Sequence, residues 1–236
     1  MERLDTFLVE NKFTESRNQA QSIIKDGYVF VNSKKITKAS YKVAQEDSVG
    51  VKDHDIYVSR AAFKLKYFLE EIDLNLSGCV CLDIGSSTGG FTQVLLENNV
   101  KEVTCVDVGR DQLHHSLRES EKVNVYENCD IRKFESTQQY ELVVSDVSFI
   151  SLLHILNDVN RLAKEKIILL FKPQFEVGRG IKRDKHGVVV DKKAIAASIE
   201  KFESACKQLG WQLLQKTPSK ITGKEGNLEY CYYFMK

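Results

Sequence analysis

The fold of this chain is constrained most by a series of short apolar runs that begins after residue 57. Each run is rich in Val, Ile, Leu or Cys, and helical patterns lie between them. The runs are Cys79–Asp83, Val103–Asp107, Val123–Tyr126, Leu142–Asp146 and Ile167–Phe171. Continuous apolar strands of this kind form parallel sheets that are covered by helices on both faces. The sequence therefore predicts an α/β domain with a doubly wound, mostly parallel sheet.

The end of the chain departs from this alternation. A helical pattern over Ala194–Leu209 is followed by two strand-like runs, near Trp211–Gln215 and Tyr230–Phe234, with no helix between them. We therefore expect a C-terminal antiparallel hairpin. Proline cannot donate to a strand ladder, so we expect Pro173 and Pro218 just outside strands.

The first 58 residues predict a separate small α/β module. Apolar residues at helical spacing indicate two helices, of which the second ends near Gly27. Tyr28–Val31 predicts a strand, and Asn32-Ser33 predicts a turn after it. We expect two domains, 1–58 and 59–236.

Composition excludes several classes of protein. The chain has 236 residues, of which 42% are hydrophobic and 28% charged, as in ordinary globular proteins. No stretch approaches the roughly 20 apolar residues that span a bilayer. The N-terminus carries acids where a signal peptide needs an apolar core, so a cytoplasmic protein is expected. The six cysteines form no C-x-x-C pair, and we expect buried thiols rather than a metal or redox site.

Charge is concentrated locally, although the net charge is only +1. Basic residues dominate from Arg17 to Lys42, opposed only by Asp26, and acids such as Asp53 and Asp55 follow. Such a basic edge suits phosphate contacts, but a solvated lysine-rich surface explains the charge equally well. The order of residues is more specific, because it resembles the S4 RNA-binding module. The residues that carry this resemblance are Arg17, Ala20, Ile24, Gly27, Val29, Val31 and Asn32.

The S4 resemblance implies that this module binds structured RNA. One departure is Ser33, where that family often has glycine. The RNA contacts that we predict in this module are Arg3, Arg17, Lys25, Lys34 and Lys35.

In the larger domain, candidate ligand-binding residues follow successive strands. The loop from Asp83 to Phe91 is rich in glycine but lacks both the G-x-G-x-x-G spacing and a phosphate-loop lysine. Because an acid leads the loop, it suits a ligand with positive charge. Asp107 ends the second strand, where an acid accepts ribose hydroxyls, and Asp130 follows the third, where it would accept from an adenine amino group. Either acid alone is more simply explained as a helix N-cap or a surface charge.

Together these residues resemble the S-adenosylmethionine (SAM)-dependent methyltransferase fold. The resemblance implies a Rossmann-like domain that uses SAM as its cofactor. The implied cofactor-binding residues are Asp83, Gly85, Ser86, Gly89, Gly90, Phe91, Asp107 and Asp130.

Four further residues stand out in order along the chain: Lys64, Asp146, Lys172 and Glu229. Taken singly, each lysine is explained as a surface residue, and Asp146 as a helix N-cap. As a set they resemble the K-D-K-E tetrad of FtsJ-type RNA 2′-O-methyltransferases. A lysine acts as a base only if its pKa is pulled down from about 10.4, and we expect Lys64 beside Lys172 to do this. The two carboxylates would then orient the lysine and the ribose.

The combination of motifs is similar to the TlyA family over essentially the full length. It consists of the N-terminal module followed by Tyr57–Leu65, Asp83–Phe91, Ser145–Ile150 and Phe171–Glu176. The resemblance implies methylation of a cytidine ribose in large-subunit (23S) ribosomal RNA, in some members also in the small subunit, and an influence on capreomycin susceptibility. The short termini resemble those of the shorter family members, which act on the large-subunit RNA alone. The implied partner is ribosomal RNA within a subunit, with no metal and no membrane; the sequence makes no prediction of oligomeric state.

Residues 178–193 predict a mobile basic loop beside Lys172 that grips RNA phosphates. The RNA contacts that we predict in the larger domain are Arg60, Arg179, Lys182 and Arg183. An aromatic residue, Phe149 or Phe175, could support a flipped target base, although core packing explains either one more simply.

Two alternatives belong to other classes. A noncatalytic RNA-binding ribosome factor would be expected to lack part of the tetrad or the glycine loop, and all are present. A membrane-active haemolysin-like protein would need an amphipathic or spanning segment. Among enzymes, base methylation is disfavoured, because Asp146-Val-Ser-Phe149 lacks the two prolines of amino-group methyltransferases.

Overall fold

The computed structural model describes residues 1–25, 27–52 and 57–236. The chain forms two compact units, Met1–Tyr57 and Val58–Lys236. Asp26, Asp53 and Asp55, which entered the charge argument, lie outside the described residues. Among those described, no helix is long and apolar enough to cross a membrane.

The described residues of the N-terminal unit form two helices and five short strands. In chain order these elements are β1 (Glu2–Arg3), α1 (Leu4–Glu10), α2 (Arg17–Lys25), β2 (Val29–Val31), β3 (Lys34–Lys35), β4 (Lys42–Val43) and β5 (Val49–Val51). Strand β1 pairs with β4, while β3, β2 and β5 form an antiparallel sheet in that order. Apolar residues of both helices and of β2 are buried in one cluster, as their spacing predicts.

The turn after β2 has the conformation of a tight hairpin. Asn32 and Ser33 both have left-handed backbone, with φ of 49° and 64°. Two successive positive φ values match the right-handed twist of the flanking strands. Ser33 therefore adopts the conformation that favours glycine, and the Asn32 amide stabilises the turn by donating to Asp47 (2.7 Å) and accepting from the Ser48 N–H (3.0 Å).

The larger unit is built on a seven-stranded sheet with the order β11-β12-β10-β9-β6-β7-β8. Its strands are β6 (Val80–Ile84), β7 (Glu102–Val106), β8 (Val123–Tyr126), β9 (Tyr140–Ser145), β10 (Ala163–Phe171), β11 (Gln212–Pro218) and β12 (Tyr230–Met235). Its helices are α3 (Ala61–Ile72), α4 (Gly90–Glu97), α5 (His115–Arg118), α6 (Leu156–Leu162), α7 (Pro173–Glu176) and α8 (Lys192–Gln208). The strands from β8 to β10 are parallel, which confirms the predicted fold class.

The last two strands are antiparallel, as predicted, with β12 lying between β11 and β10. One expectation is wrong: Pro218 is the last residue of β11 rather than outside it. An edge strand tolerates proline, because the missing N–H costs no ladder hydrogen bond there.

The strand order locates a crevice. After β6 the chain runs outward through β7 and β8, then returns to form β9 on the other side of β6. Ligands of open α/β sheets bind beyond the carboxyl ends of the strands at such a switch point. The residues that follow β6, β9 and β10 therefore define the site.

Candidate active site

The loop after β6 is shaped by three glycines. Gly85 and Gly89 have φ of +78° and +96°, which disfavours other residues. A Cβ on Gly89 would lie 2.3 Å from the Leu117 side chain, and one on Gly90 would lie 2.2 Å from the Ser59 Oγ, just before α3. The last two glycines thus allow close packing of α4. Their contact with a cofactor remains a prediction, as it does for the buried Ser86 and Phe91.

Asp83 is fully buried beneath this loop. Its Oδ2 accepts a hydrogen bond from the Thr92 hydroxyl (2.7 Å), whereas Oδ1 is buried without a hydrogen-bond partner among the described residues. Burial raises the pKa of this carboxyl to about 7. A cationic group bound nearby would compensate the buried charge.

Asp107 follows β7 and is held by two backbone N–H groups. Ser87 donates to Oδ2 (2.8 Å) and Gly109 donates to Oδ1 (2.6 Å). Each carboxylate oxygen has a second lone pair, so Asp107 is still able to accept from ribose hydroxyls.

Asp130 caps the 3₁₀ turn Ile131–Lys133 and pairs with Arg132, which lowers the pKa of the Asp130 carboxyl to about 2. This is the N-cap alternative that the sequence left open, and an adenine contact remains a prediction.

Sequence reasoning missed Glu127, the acid directly after β8. It accepts from the N–H groups of Asp111, Gln112 and Leu113 and from Arg118, and so fixes the loop after β7.

The tetrad comes together as two ion pairs. Lys172 Nζ lies 2.6 Å from Asp146 Oδ1, and Lys64 Nζ lies 2.6 Å from Glu229 Oε2. Lys64, Lys172 and Glu229 are buried. The strand register explains the assembly: Ser145 aligns with Leu169 and Tyr230 with Phe171, so the residues beside them meet at one edge.

Each lysine of the tetrad is paired with a carboxylate, and the expected placement of Lys64 beside Lys172 stays a prediction. Lys172 also donates to Ser148 Oγ (2.8 Å) and to the Asp146 backbone carbonyl (3.3 Å). Sequence reasoning did not identify Ser148, since a lone serine in a loop carries no signal.

Phe149 occupies the same loop and does not pack in the core. Its side chain is 92% exposed and its φ is 66°. The ring lies against Phe175, with 5.2 Å between centroids, and Lys172 Nζ lies 5.9 Å from the Phe175 centroid. Glu176 anchors the loop by accepting from Ser151 Oγ (2.5 Å) and Leu152 N–H (2.8 Å). The simpler explanation, core packing, is therefore wrong for Phe149.

The basic loop is a hairpin, with an isolated bridge between Arg183 and Val189. The Arg183 guanidinium donates to four backbone carbonyls, so this residue shapes the hairpin. These carbonyls belong to Gln174, Gly178, Arg179 and Ile181. Arg179 and Lys182 are exposed, and their RNA contacts remain predictions, as does that of the half-buried Arg60 before α3.

In the N-terminal unit, a buried carboxylate organises two of the predicted RNA contacts. Asp5 is fully buried and accepts from Arg3 (2.9 Å), Arg17 (2.9 Å) and Gln21 (2.8 Å). The Arg3 guanidinium holds the pKa of this carboxyl well below its usual range. The arginine side chains remain 41% and 55% exposed. Lys25, Lys34 and Lys35 are exposed as well.

Comparison with known proteins identifies the family. The model of the FtsJ-like methyltransferase matches residues 57–236, and that of the S4 domain matches residues 2–49. A "23S rRNA (cytidine-2'-O)-methyltransferase TlyA" from Campylobacter jejuni is 49% identical, covering 98% of both chains. The chain belongs to the TlyA family of FtsJ-like methyltransferases.

Other members of the family agree with this assignment. The "16S/23S rRNA (cytidine-2'-O)-methyltransferase TlyA" of Mycobacterium tuberculosis is 36% identical, over 97% of this chain and 87% of its own. A solved structure from Streptococcus thermophilus, named as a hemolysin, has a TM-score of 0.75 and 31% identity, over 100% of this chain and 88% of its own. Both the methyltransferase and the hemolysin names thus occur among similar proteins.

Proposed function

We propose that this TlyA-family enzyme transfers a methyl group from SAM to the 2′-hydroxyl of a cytidine in ribosomal RNA, with large-subunit (23S) RNA as the substrate. The observation that carries the proposal is the tetrad at the switch point, formed by Lys64, Asp146, Lys172 and Glu229. The name of the Campylobacter jejuni relative, which is 49% identical, supports the choice of RNA and of nucleoside.

The residues after β6 and β7 suit SAM as the cofactor. Asp83 Oδ1, which has no hydrogen-bond partner in the described part of the chain, is a buried acceptor where a ligand with positive charge would be stabilised. Asp107 would accept from the ribose hydroxyls, and Gly85 lets the chain turn at the ligand. When bound, the cofactor supplies an electrophilic methyl group on a sulfonium.

Lys172 is the residue best placed to act on the target hydroxyl. As an ammonium bound to Asp146 and Ser148, it orients the hydroxyl oxygen for in-line attack. In the reaction an O–CH₃ bond forms, the S–CH₃ bond breaks and the hydroxyl proton leaves. Lys172 accepts that proton only after it has released its own to solvent, and otherwise water accepts it.

The N-terminal unit and the basic hairpin would hold the RNA. Arg3 and Arg17 both pair with the Asp5 carboxylate through their guanidinium groups. Arg179 and Lys182 of the hairpin are exposed. Such contacts position RNA through its phosphates. By family resemblance, we propose that the enzyme works in the cytoplasm and that its loss alters capreomycin susceptibility.

The test is methyl transfer from labelled SAM to ribosomal subunits that lack the modification, followed by nucleoside analysis. We expect label in 2′-O-methylcytidine from the large subunit, and a loss of at least about 100-fold in Lys172→Ala. Lys164→Ala, at the opposite end of β10 and exposed, is the matched control and should retain activity. Label in a modified base would overturn the ribose assignment. SAM binding without transfer to any subunit would overturn the assignment of ribosomal RNA as the substrate.

A further inference from the structure

Glu229 is held from two sides, by one residue of the tetrad and by one outside it. Its Oε2 receives Lys64 Nζ at 2.6 Å. Its Oε1 accepts a hydrogen bond from the side-chain amide of Gln174, with Nε2 at 2.9 Å. Gln174 lies two residues after Lys172, in the short helix α7, so it connects the ends of β10 and β12.

The orientation of the Gln174 amide follows from its partner. A carboxylate only accepts hydrogen bonds, so the amide NH₂ must face Glu229. The amide oxygen is then directed elsewhere, and it is buried without a hydrogen-bond partner among the described residues. The hydrogen bond to Glu229 therefore fixes the orientation of the Gln174 amide.

The surroundings restrict the carboxylate further. Glu229 is only 2% exposed. A Cβ on Gly223 would lie 2.7 Å from Oε1, so glycine leaves the space that this oxygen occupies. The Gln174 backbone is itself anchored, because its carbonyl accepts from the Arg183 guanidinium at 3.1 Å.

We propose that Gln174 is a positioning residue of the methyl-transfer site, which holds the Glu229 carboxylate in its reactive orientation. This inference rests on the proposed function, since Glu229 is taken as part of the tetrad. Gln174 acts through Glu229, so its contribution should vanish once Glu229 can no longer be held as a carboxylate.

The experiment is a double-mutant cycle on the full chain, with transfer of label from SAM to unmodified large subunits. In Gln174→Met, which keeps the size but not the donor, we expect kcat to fall about 10- to 100-fold. KM for the subunit and Kd for SAM should stay within about twofold, because neither ligand is held by this bond. Gln139→Met is the matched control, since Gln139 donates to the Arg161 carbonyl on an exposed surface.

In a Glu229→Met background, which has no acceptor for the Gln174 amide, the same Gln174→Met change should cost less than about twofold, because the hydrogen bond is already absent. Equal losses in both backgrounds, or wild-type kcat in Gln174→Met, would overturn the inference. If the wild type transfers no label, the proposed function fails. If the wild type transfers label and Gln174→Met has the same kcat, only this inference fails.

Gln174→Glu gives a second readout and carries the test if the methionine variant does not fold. It places a second carboxylate against Glu229, and two adjacent carboxylates share a proton more readily as pH falls. The ratio of its kcat to that of the wild type should therefore rise from pH 8 to pH 6. A ratio that does not change with pH would contradict the proposed contact.

Discussion

Phe149 lies against Phe175 with 5.2 Å between ring centroids, yet its own side chain is 92% exposed and its backbone is left-handed. A bulky residue in this conformation costs about 1–3 kcal/mol, and an exposed ring recovers little of that by burial. Strain of this kind persists at functional sites. Because the same loop carries Ser148, the partner of Lys172, we expect the Phe149 ring to stack on the target base.

Phe149→Gly should therefore separate stability from activity. Glycine relieves the left-handed strain but adds freedom to the unfolded chain, so the unfolding free energy should stay within about 1 kcal/mol of wild type. Loss of stacking, worth about 1–3 kcal/mol per base, should lower kcat/KM on ribosomal subunits at least about fivefold. Denaturant unfolding and single-turnover transfer measure the two effects. Leu214→Ala, an exposed apolar residue on the edge strand β11, should change neither, and unchanged transfer in Phe149→Gly would refute the stacking role.

Gly223→Ala should damage the site without unfolding the protein. The added methyl group would lie 2.7 Å from Glu229 Oε1, so this oxygen must shift relative to its partners Lys64 and Gln174, while no backbone atom has to move. We expect the melting temperature to change by less than about 3 °C, because no backbone clash is made. Methyl transfer should fall about 10-fold or more as the carboxylate is displaced. Gly180→Ala meets nothing within 4 Å and serves as the control. Full activity in Gly223→Ala would show that the carboxylate position is unimportant.

Asp83 predicts a pH dependence of stability. Its pKa is about 7 in the folded protein and about 3.9 in the unfolded chain. Between these values the folded state holds a proton that the unfolded state lacks, so the unfolding free energy falls as pH rises from about 4 to about 7 and then levels. Asparagine cannot titrate. The stability of Asp83→Asn minus that of the wild type should thus be larger at pH 8 than at pH 5.

Denaturant midpoints at these two pH values measure the effect. Asp111→Asn, which makes the same substitution at an exposed acid, is the matched control. The same Asp83→Asn variant should bind SAM more weakly, because it lacks the buried negative charge. An Asp83→Asn difference that is equal at both pH values would contradict a buried titrating carboxyl.

Asp5 offers a test of RNA binding by the N-terminal unit. Asp5→Asn removes one negative charge, which by Coulomb attraction alone should tighten binding to RNA. If the buried carboxylate instead organises Arg3 and Arg17, binding should weaken about 3- to 10-fold, since one or two phosphate contacts lose their geometry.

Glu46→Gln, an exposed acid in the same unit, makes the same change in charge and should bind as well as wild type or better. Filter binding to ribosomal subunits at several salt concentrations compares the variants, with unfolding curves to confirm that both fold. Tighter binding in Asp5→Asn would show that the arginines need no such anchor.

The local pattern of the chain predicted the sheet and much of the site. Apolar runs are a direct consequence of strands buried on both faces, so β6, β7, β9 and β10 could be located without coordinates. Residues at the ends of parallel strands meet at one edge by geometry, and this gathers Asp83, Asp146 and Lys172. The resemblance to FtsJ-type enzymes supplied Lys64 and Glu229, which lie elsewhere in the chain.

The partners of these residues were decided by the tertiary structure alone. Lys64 and Glu229 are 165 positions apart, and only the packing of α3 beside the start of β12 brings them together. The same holds for Gln174, which donates to Glu229 across 55 positions, and for Phe149, which is left in solvent. Periodicity and strand ends are local properties of a sequence. Hydrogen-bond and ion-pair choices depend on register and loop conformation, which many distant contacts determine together.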